Sequence, residues 1–193
     1  MGVFSVYKVC KTEQSAQRQR TLEEGLLEAM TQYHYEELSV IDLCDRMAIP
    51  RKSFYRYFSG KEGALHALID HTLMRYDSSE LWLSKGDRNA VIQELIHFFS
   101  FWIGQKTLLD ALAKSSLSGV LIQRSIEYAL GEAGARRKQG NADMGEMEYG
   151  IMFAISGLMT MTVQWHHNGY NVGVDQMAAF AERVLTRPLL ELG

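Results

Sequence analysis

Proline, cysteine and long apolar runs are all scarce in this chain of 193 residues. With only two prolines, Pro50 and Pro188, almost nothing interrupts a helix from within. Two cysteines, Cys10 and Cys44, cannot build a disulfide framework or a thiolate metal site, and they fit a reducing, cytoplasmic setting. Cys44 reads as a small core residue. The longest apolar run, Tyr149 to Val163, has 15 residues and includes Gly, Ser and Thr. A membrane span needs about 18 or more, so a buried helix is expected and no membrane partner. "MGVFSVYKVCK" has neither the leading charge nor the apolar core of a secretory leader. The histidines fall at no ligand spacing: His166 and His167 are adjacent and point apart, and His34, His66, His71 and His97 are scattered. No nucleophile motif, phosphate loop or carboxylate constellation occurs. The chain is therefore expected to be no enzyme, with no metal and no cofactor.

What is present is helical. Apolar residues make up 47% and charged residues 22%, and Leu, Ala, Met, Glu and Gln recur at helical spacing. Leu22, Leu26, Ala29, Met30 and Tyr33 share one face of a first helix, weakened but not broken by Gly25. Ser39 can cap a second helix, with Asp42 three residues on as in a capping box. "AIP" ends that helix, and Pro50 suits the first position of a third. A long helix from Lys61 buries Leu65, Leu68, Ile69 and Leu73. "KGD" at 85–87 reads as a break. Helices then cover "NAVIQELIHFFSFWIGQ", "LLDALAK" and residues 116–137, followed by a polar loop "RRKQGNADMGE". Two final helices are expected over 144–167 and 175–190, joined by "HHNGYNVGVD".

Charge is distributed unevenly. The net charge is −3, yet residues 1–61 hold nine bases and eight acids while the rest holds eleven bases and fifteen acids. Arg46, Arg51, Lys52, Arg56 and Lys61 fall within sixteen residues that contain no acid. A local basic patch on an acidic body suits an anionic partner docking at one place. The patch centres on "IPRKSFYRYF", Ile49 to Phe58, with three bases and four aromatics. On a helix from Arg51, Phe54 and Phe58 lie within about 40° of each other and Ile49 packs nearby. Arg51, Lys52, Tyr55 and Arg56 fan across the opposite side, with Ser53 and Tyr57 on the flank. A basic run alone is usually a solvated face. Here it coincides with a helix–turn–helix arrangement and flanking caps, and such a helix fits the DNA major groove. Arg and Lys reach guanine O6 and N7 or neutralise phosphates, and tyrosine offers a ring and a hydroxyl.

"LSVIDLCDRMAIPRKSFYRYFSGKEGAL" resembles the DNA-binding segment of the TetR family of bacterial one-component regulators, over about residues 20–70. The helical spacing along the chain gives an all-α fold of about nine helices. Its expected parts are a flexible arm over 1–15, a three-helix helix–turn–helix DNA-binding domain over 16–60, and a helical ligand-sensing and dimerisation domain over 61–193. The resemblance implies base or phosphate contacts from Arg51, Lys52, Ser53, Tyr55 and Tyr57, and backbone contacts from Ser39 and Lys61; Arg56, on the same outward face, is a DNA-binding candidate from its place on the helix. Ala48 stands where the turn often has glycine, Pro50 replaces a serine-like cap, and Lys52 replaces a residue that is often small. The function implied is a ligand-controlled repressor that binds a palindromic double-stranded operator as a homodimer. The alternative is a helical dimeric protein with a vestigial helix–turn–helix, acting through protein partners.

The rest of the chain is less specific. Six of the ten methionines lie from Met144 onward, where plastic core or interface is the ordinary role. The helix from Met144 is apolar almost all round and must be covered on several sides. Ile155, Leu158, Trp165, Met177, Phe180 and Val184 are the candidates for a dimer interface. Trp102, Tyr128 and Met147 are the candidates for lining an effector site.

Overall fold

The computed structural model describes residues 6–76, 88–137 and 144–186. The "KGD" break and the stretch 187–190 lie outside the described residues. Among the described residues the fold is all-α, with nine helices and one isolated β-bridge, Tyr7 to Phe58. The chain divides into two compact units, Met1–Leu73 with Asp110–Leu117, and Met74–Leu109 with Ser118–Gly193. Most of the helix from Lys61 thus clusters with the first unit, although a boundary at 60/61 was expected.

In the first unit, α1 (Glu13–Gln32) begins where the Thr12 hydroxyl accepts the Ser15 N–H. It buries Leu22, Leu26, Ala29 and Met30, the spacing of one helical face. Tyr33 ends the helix instead of joining that face, and the Arg46 guanidinium stacks 4.1 Å from its ring centroid. Gly25 admits Met47, whose thioether occupies the place a Cβ would take. Short α2 (Val40–Arg46) and α3 (Arg51–Tyr55) follow, then α4 (Lys61–Arg75). All four residues expected to be buried on α4 are buried. Residues 6–15, expected as part of a flexible arm, are instead held by hydrogen bonds and by the start of a helix. The Val6 carbonyl accepts the Ser59 N–H, the Lys8 N–H donates to the Tyr57 carbonyl, and α1 starts at Glu13.

The turn between α2 and α3 is a Schellman motif. The Ile49 N–H reaches the Cys44 carbonyl at 3.0 Å and the Ala48 N–H reaches that of Asp45 at 3.2 Å. This geometry places Ala48 at φ 50°, the left-handed region that a Cβ disfavours. Ala48 is exposed, so a glycine there loses no packing. Ala48→Gly is expected to stabilise the protein by about 1 kcal/mol, read as a higher urea midpoint with an unchanged m-value.

The second unit holds α5 (Arg88–Ile103), α7 (Ser118–Arg137), α8 (Met144–His167) and α9 (Val174–Thr186), while α6 (Lys106–Lys114) spans the division. α7 packs along α8 and α5 along α9. Phe99, Trp165 and Tyr170 form edge-to-face pairs at 5.6 and 5.0 Å. The Trp165 indole donates to the Val172 carbonyl at 3.0 Å, which satisfies its buried N–H. None of the described helices is long and apolar enough to cross a membrane.

Candidate nucleic-acid interface

Helix α3 has only five residues and cannot hold itself together. Its support is a pair of rings beneath it. Phe54 is fully buried and its centroid lies 5.1 Å from that of Phe58, also buried. Pro50 starts the helix with φ −65° and its carbonyl accepts the Ser53 N–H at 2.8 Å. The helical bonding continues past Tyr55, since the Arg56 N–H reaches Lys52 and the Phe58 N–H reaches Phe54.

With Phe54 fixed inward, Arg51, Lys52, Tyr55 and Arg56 are all exposed, and Tyr55 keeps 55% of its surface. No hydrogen bond or ion pair to a described residue engages the head groups of Arg51, Lys52 or Arg56. Ser53 is half-buried. This outward face is a cluster of unpaired donors with one rigid ring, able to meet phosphates or base edges.

Three of the residues implied by resemblance sit otherwise. Tyr57 is only 6% exposed and its carbonyl accepts the Lys8 N–H at 2.8 Å. Its ring belongs to the core, because the N-terminal segment covers it. Lys61 is occupied inside the chain. Its ammonium donates to the carbonyls of Tyr35 at 2.5 Å and Leu38 at 2.6 Å, and lies 4.1 Å from the Tyr35 ring centroid. Burial lowers its pKa, while Glu36 pulls the other way. Burial, with Glu62 and Glu36, also pushes the Tyr35 phenol up to about 12. Lys61 therefore ties the α1–α2 connection to the start of α4, and a phosphate contact from its ammonium is not what the geometry favours.

Ser39 is exposed but acts as a cap. The Asp42 N–H donates to the Ser39 hydroxyl oxygen at 3.2 Å, and both the Ser39 N–H and hydroxyl donate to the Asp42 carboxylate, at 2.9 and 2.5 Å. The Ser39 hydroxyl hydrogen bond, above all, lowers the Asp42 pKa. The carboxylate stays ionised and sits where a phosphate was expected to approach. Sequence reasoning also missed Lys8, an exposed base that backbone pairing sets beside Tyr57. Its separation along the chain hid it.

In the second unit Ile155, Leu158 and Trp165 are buried against their own chain, so they cannot form a surface for a second copy. Met177 and Val184 are half-buried, and Phe180 is exposed. The open apolar surface of α8 is instead Tyr149, Met152 and Phe153, with Phe153 63% exposed. Trp102 is buried beside Phe98 and Phe101, and its indole N–H has no hydrogen-bond partner among the described residues. Tyr128 is half-buried on α7. Met147 is exposed on α8, not turned to an interior. Among the described residues no group of three or more His, Cys, Asp or Glu could hold a metal ion.

No family model and no curated protein matches the chain. Solved structures do. A protein from Syntrophomonas wolfei assigned to the TetR family of transcriptional regulators aligns with a TM-score of 0.62 at 17% identity, over 93% of this chain and 100% of that one. The fold is that of TetR-family regulators. The fatty acid degradation regulator FadR of Bacillus halodurans aligns at 0.60 and 10% identity, over 94% and 98%. A TetR-family transcriptional regulator from Streptomyces coelicolor aligns at 0.55 and 20%, over 89% and 94%. The TetR-like fold thus extends over both units, well beyond the helix–turn–helix that the sequence resemblance covers.

Proposed function

We propose that this protein is a DNA-binding transcriptional regulator, a repressor that binds a palindromic operator as a homodimer. The observation that carries this is the face of α3. Arg51, Lys52, Tyr55 and Arg56 point outward together from a helix fixed by Phe54, with no partner for the three bases among the described residues. Such a helix is short enough to enter a major groove, and two of them about 34 Å apart would read half-sites one turn apart. Binding of the whole chain to a pool of random duplexes tests it. Selection is expected to return an inverted repeat, and a pool that stays random would overturn the reading.

The dimer surface is the stripe Tyr149, Met152 and Phe153 on α8, together with Phe180 on α9. Exposed apolar side chains of this kind on α8 and α9 are what a second copy would cover. Phe153→Glu is expected to leave the fold of the subunit intact, since Phe153 is mostly exposed. It is expected to halve the mass in sedimentation and to weaken operator binding by about 10²-fold or more. An unchanged mass would remove α8 from the interface.

Control by a small molecule is supported by Trp102. Its buried indole N–H is a donor without an acceptor among the described residues, a situation that costs stability until an acceptor arrives. A ligand bearing one, held in the second unit, would favour a conformation in which α4 is displaced and the α3 helices no longer match successive grooves. Differential affinity for the two conformations is all this requires.

A further inference from the structure

The C-terminal end of α3 has lost the two contacts that resemblance gave it, since Tyr57 is turned inward and the Lys61 ammonium is held by two carbonyls. A base from the start of the chain stands there instead. Residues 6–8 run antiparallel to 57–59. The Ser59 N–H and hydroxyl donate to the Val6 carbonyl at 3.0 and 2.9 Å, and the Lys8 N–H donates to the Tyr57 carbonyl at 2.8 Å. Gly63 makes room for the segment, because a Cβ there would collide with the Val6 carbonyl oxygen.

Extended backbone sends successive side chains to opposite sides. Tyr7 goes inward, where its hydroxyl donates to Asp70 Oδ2 at 2.6 Å and its ring meets His71 edge-on at 5.7 Å. Lys8 goes outward. It is exposed, with Nζ 5.5 Å from the Tyr57 ring centroid. No acid occurs between Val6 and Thr12, and Lys11 is exposed as well. The anchored backbone and the Tyr57 ring hold this ammonium beside α3 and limit the freedom it would lose on binding.

We infer that Lys8 is a DNA-phosphate contact that closes the C-terminal end of the α3 face. This rests on the DNA-binding function proposed above. An ammonium beside the helix, not on its reading face, is a point charge suited to a phosphate and blind to base identity.

The test compares the whole protein and Lys8→Gln on two duplexes of equal length, one selected from a random pool and one of unrelated sequence, across a salt series. Lys8→Gln is expected to weaken both by the same factor, about three- to tenfold, and to make log K against log salt shallower by about 0.9 per copy. Lys8→Arg restores both. An unchanged slope, or a loss confined to the selected duplex, would overturn the inference. Arg51→Ala on the same duplexes separates the two failures. If it relaxes preference while Lys8→Gln changes nothing, only the role of Lys8 falls. If the unmodified protein does not prefer the selected duplex, the DNA-binding function falls too.

Discussion

Replacing Arg51, Lys52 and Arg56 together by alanine is expected to abolish selective DNA binding and leave the protein folded. The three side chains are exposed on α3 and no described residue pairs with them. Their removal therefore breaks nothing inside the subunit, and surface changes of this kind usually move stability by less than about 0.5 kcal/mol. At the DNA the loss is large. A good bidentate contact to a base discriminates by about 1–3 kcal/mol, and each phosphate neutralised adds to the salt dependence. Three such groups predict a fall in affinity of about 10³-fold or more. A gel-shift titration alongside a thermal melt reads both quantities. Binding that survives with its salt dependence intact would show that this face does not meet DNA.

Phe54→Ala is expected to abolish binding by the opposite route. The ring is fully buried, 5.1 Å from Phe58 and 5.9 Å from Tyr55. Deleting it costs about 3–5 kcal/mol from lost transfer energy and the cavity left behind. Net stabilities of domains are about 5–15 kcal/mol, so the first unit would be close to unfolding. Helix α3 suffers first, since five residues have no stability apart from what lies beneath them. The contrast is diagnostic. The charge variant loses binding with its melting curve in place, whereas Phe54→Ala loses both. Phe54→Leu keeps most of the buried area and should recover much of each. Full stability in Phe54→Ala would mean that the ring does not support the helix.

The parts that could be read from sequence are those fixed by near neighbours. The Ser39–Asp42 cap, the stop before Pro50, the start of α4 at Lys61 and the inward Phe54–Phe58 pair all depend on residues within four positions of each other. The errors come from distant partners. Lys61 looked like a free base because the carbonyls it binds lie 26 and 23 positions earlier. Tyr57 looked like flank because the segment that covers it begins near Val6. On α8 the apolar pattern is nearly continuous, so it could not tell the buried side of Ile155, Leu158 and Trp165 from the open side of Tyr149, Met152 and Phe153. Which side is open depends on where α7 packs.

The central claim is that the outward face of α3 enters the major groove, and dimethyl sulfate reports that groove directly. It methylates guanine N7 in the major groove and adenine N3 in the minor groove. With a selected duplex, the account predicts protection of guanine N7 in two patches about 10 base pairs apart, with one guanine in each patch released by Arg51→Ala. Protection confined to adenine N3, or guanine N7 equally reactive with and without the protein, would contradict it.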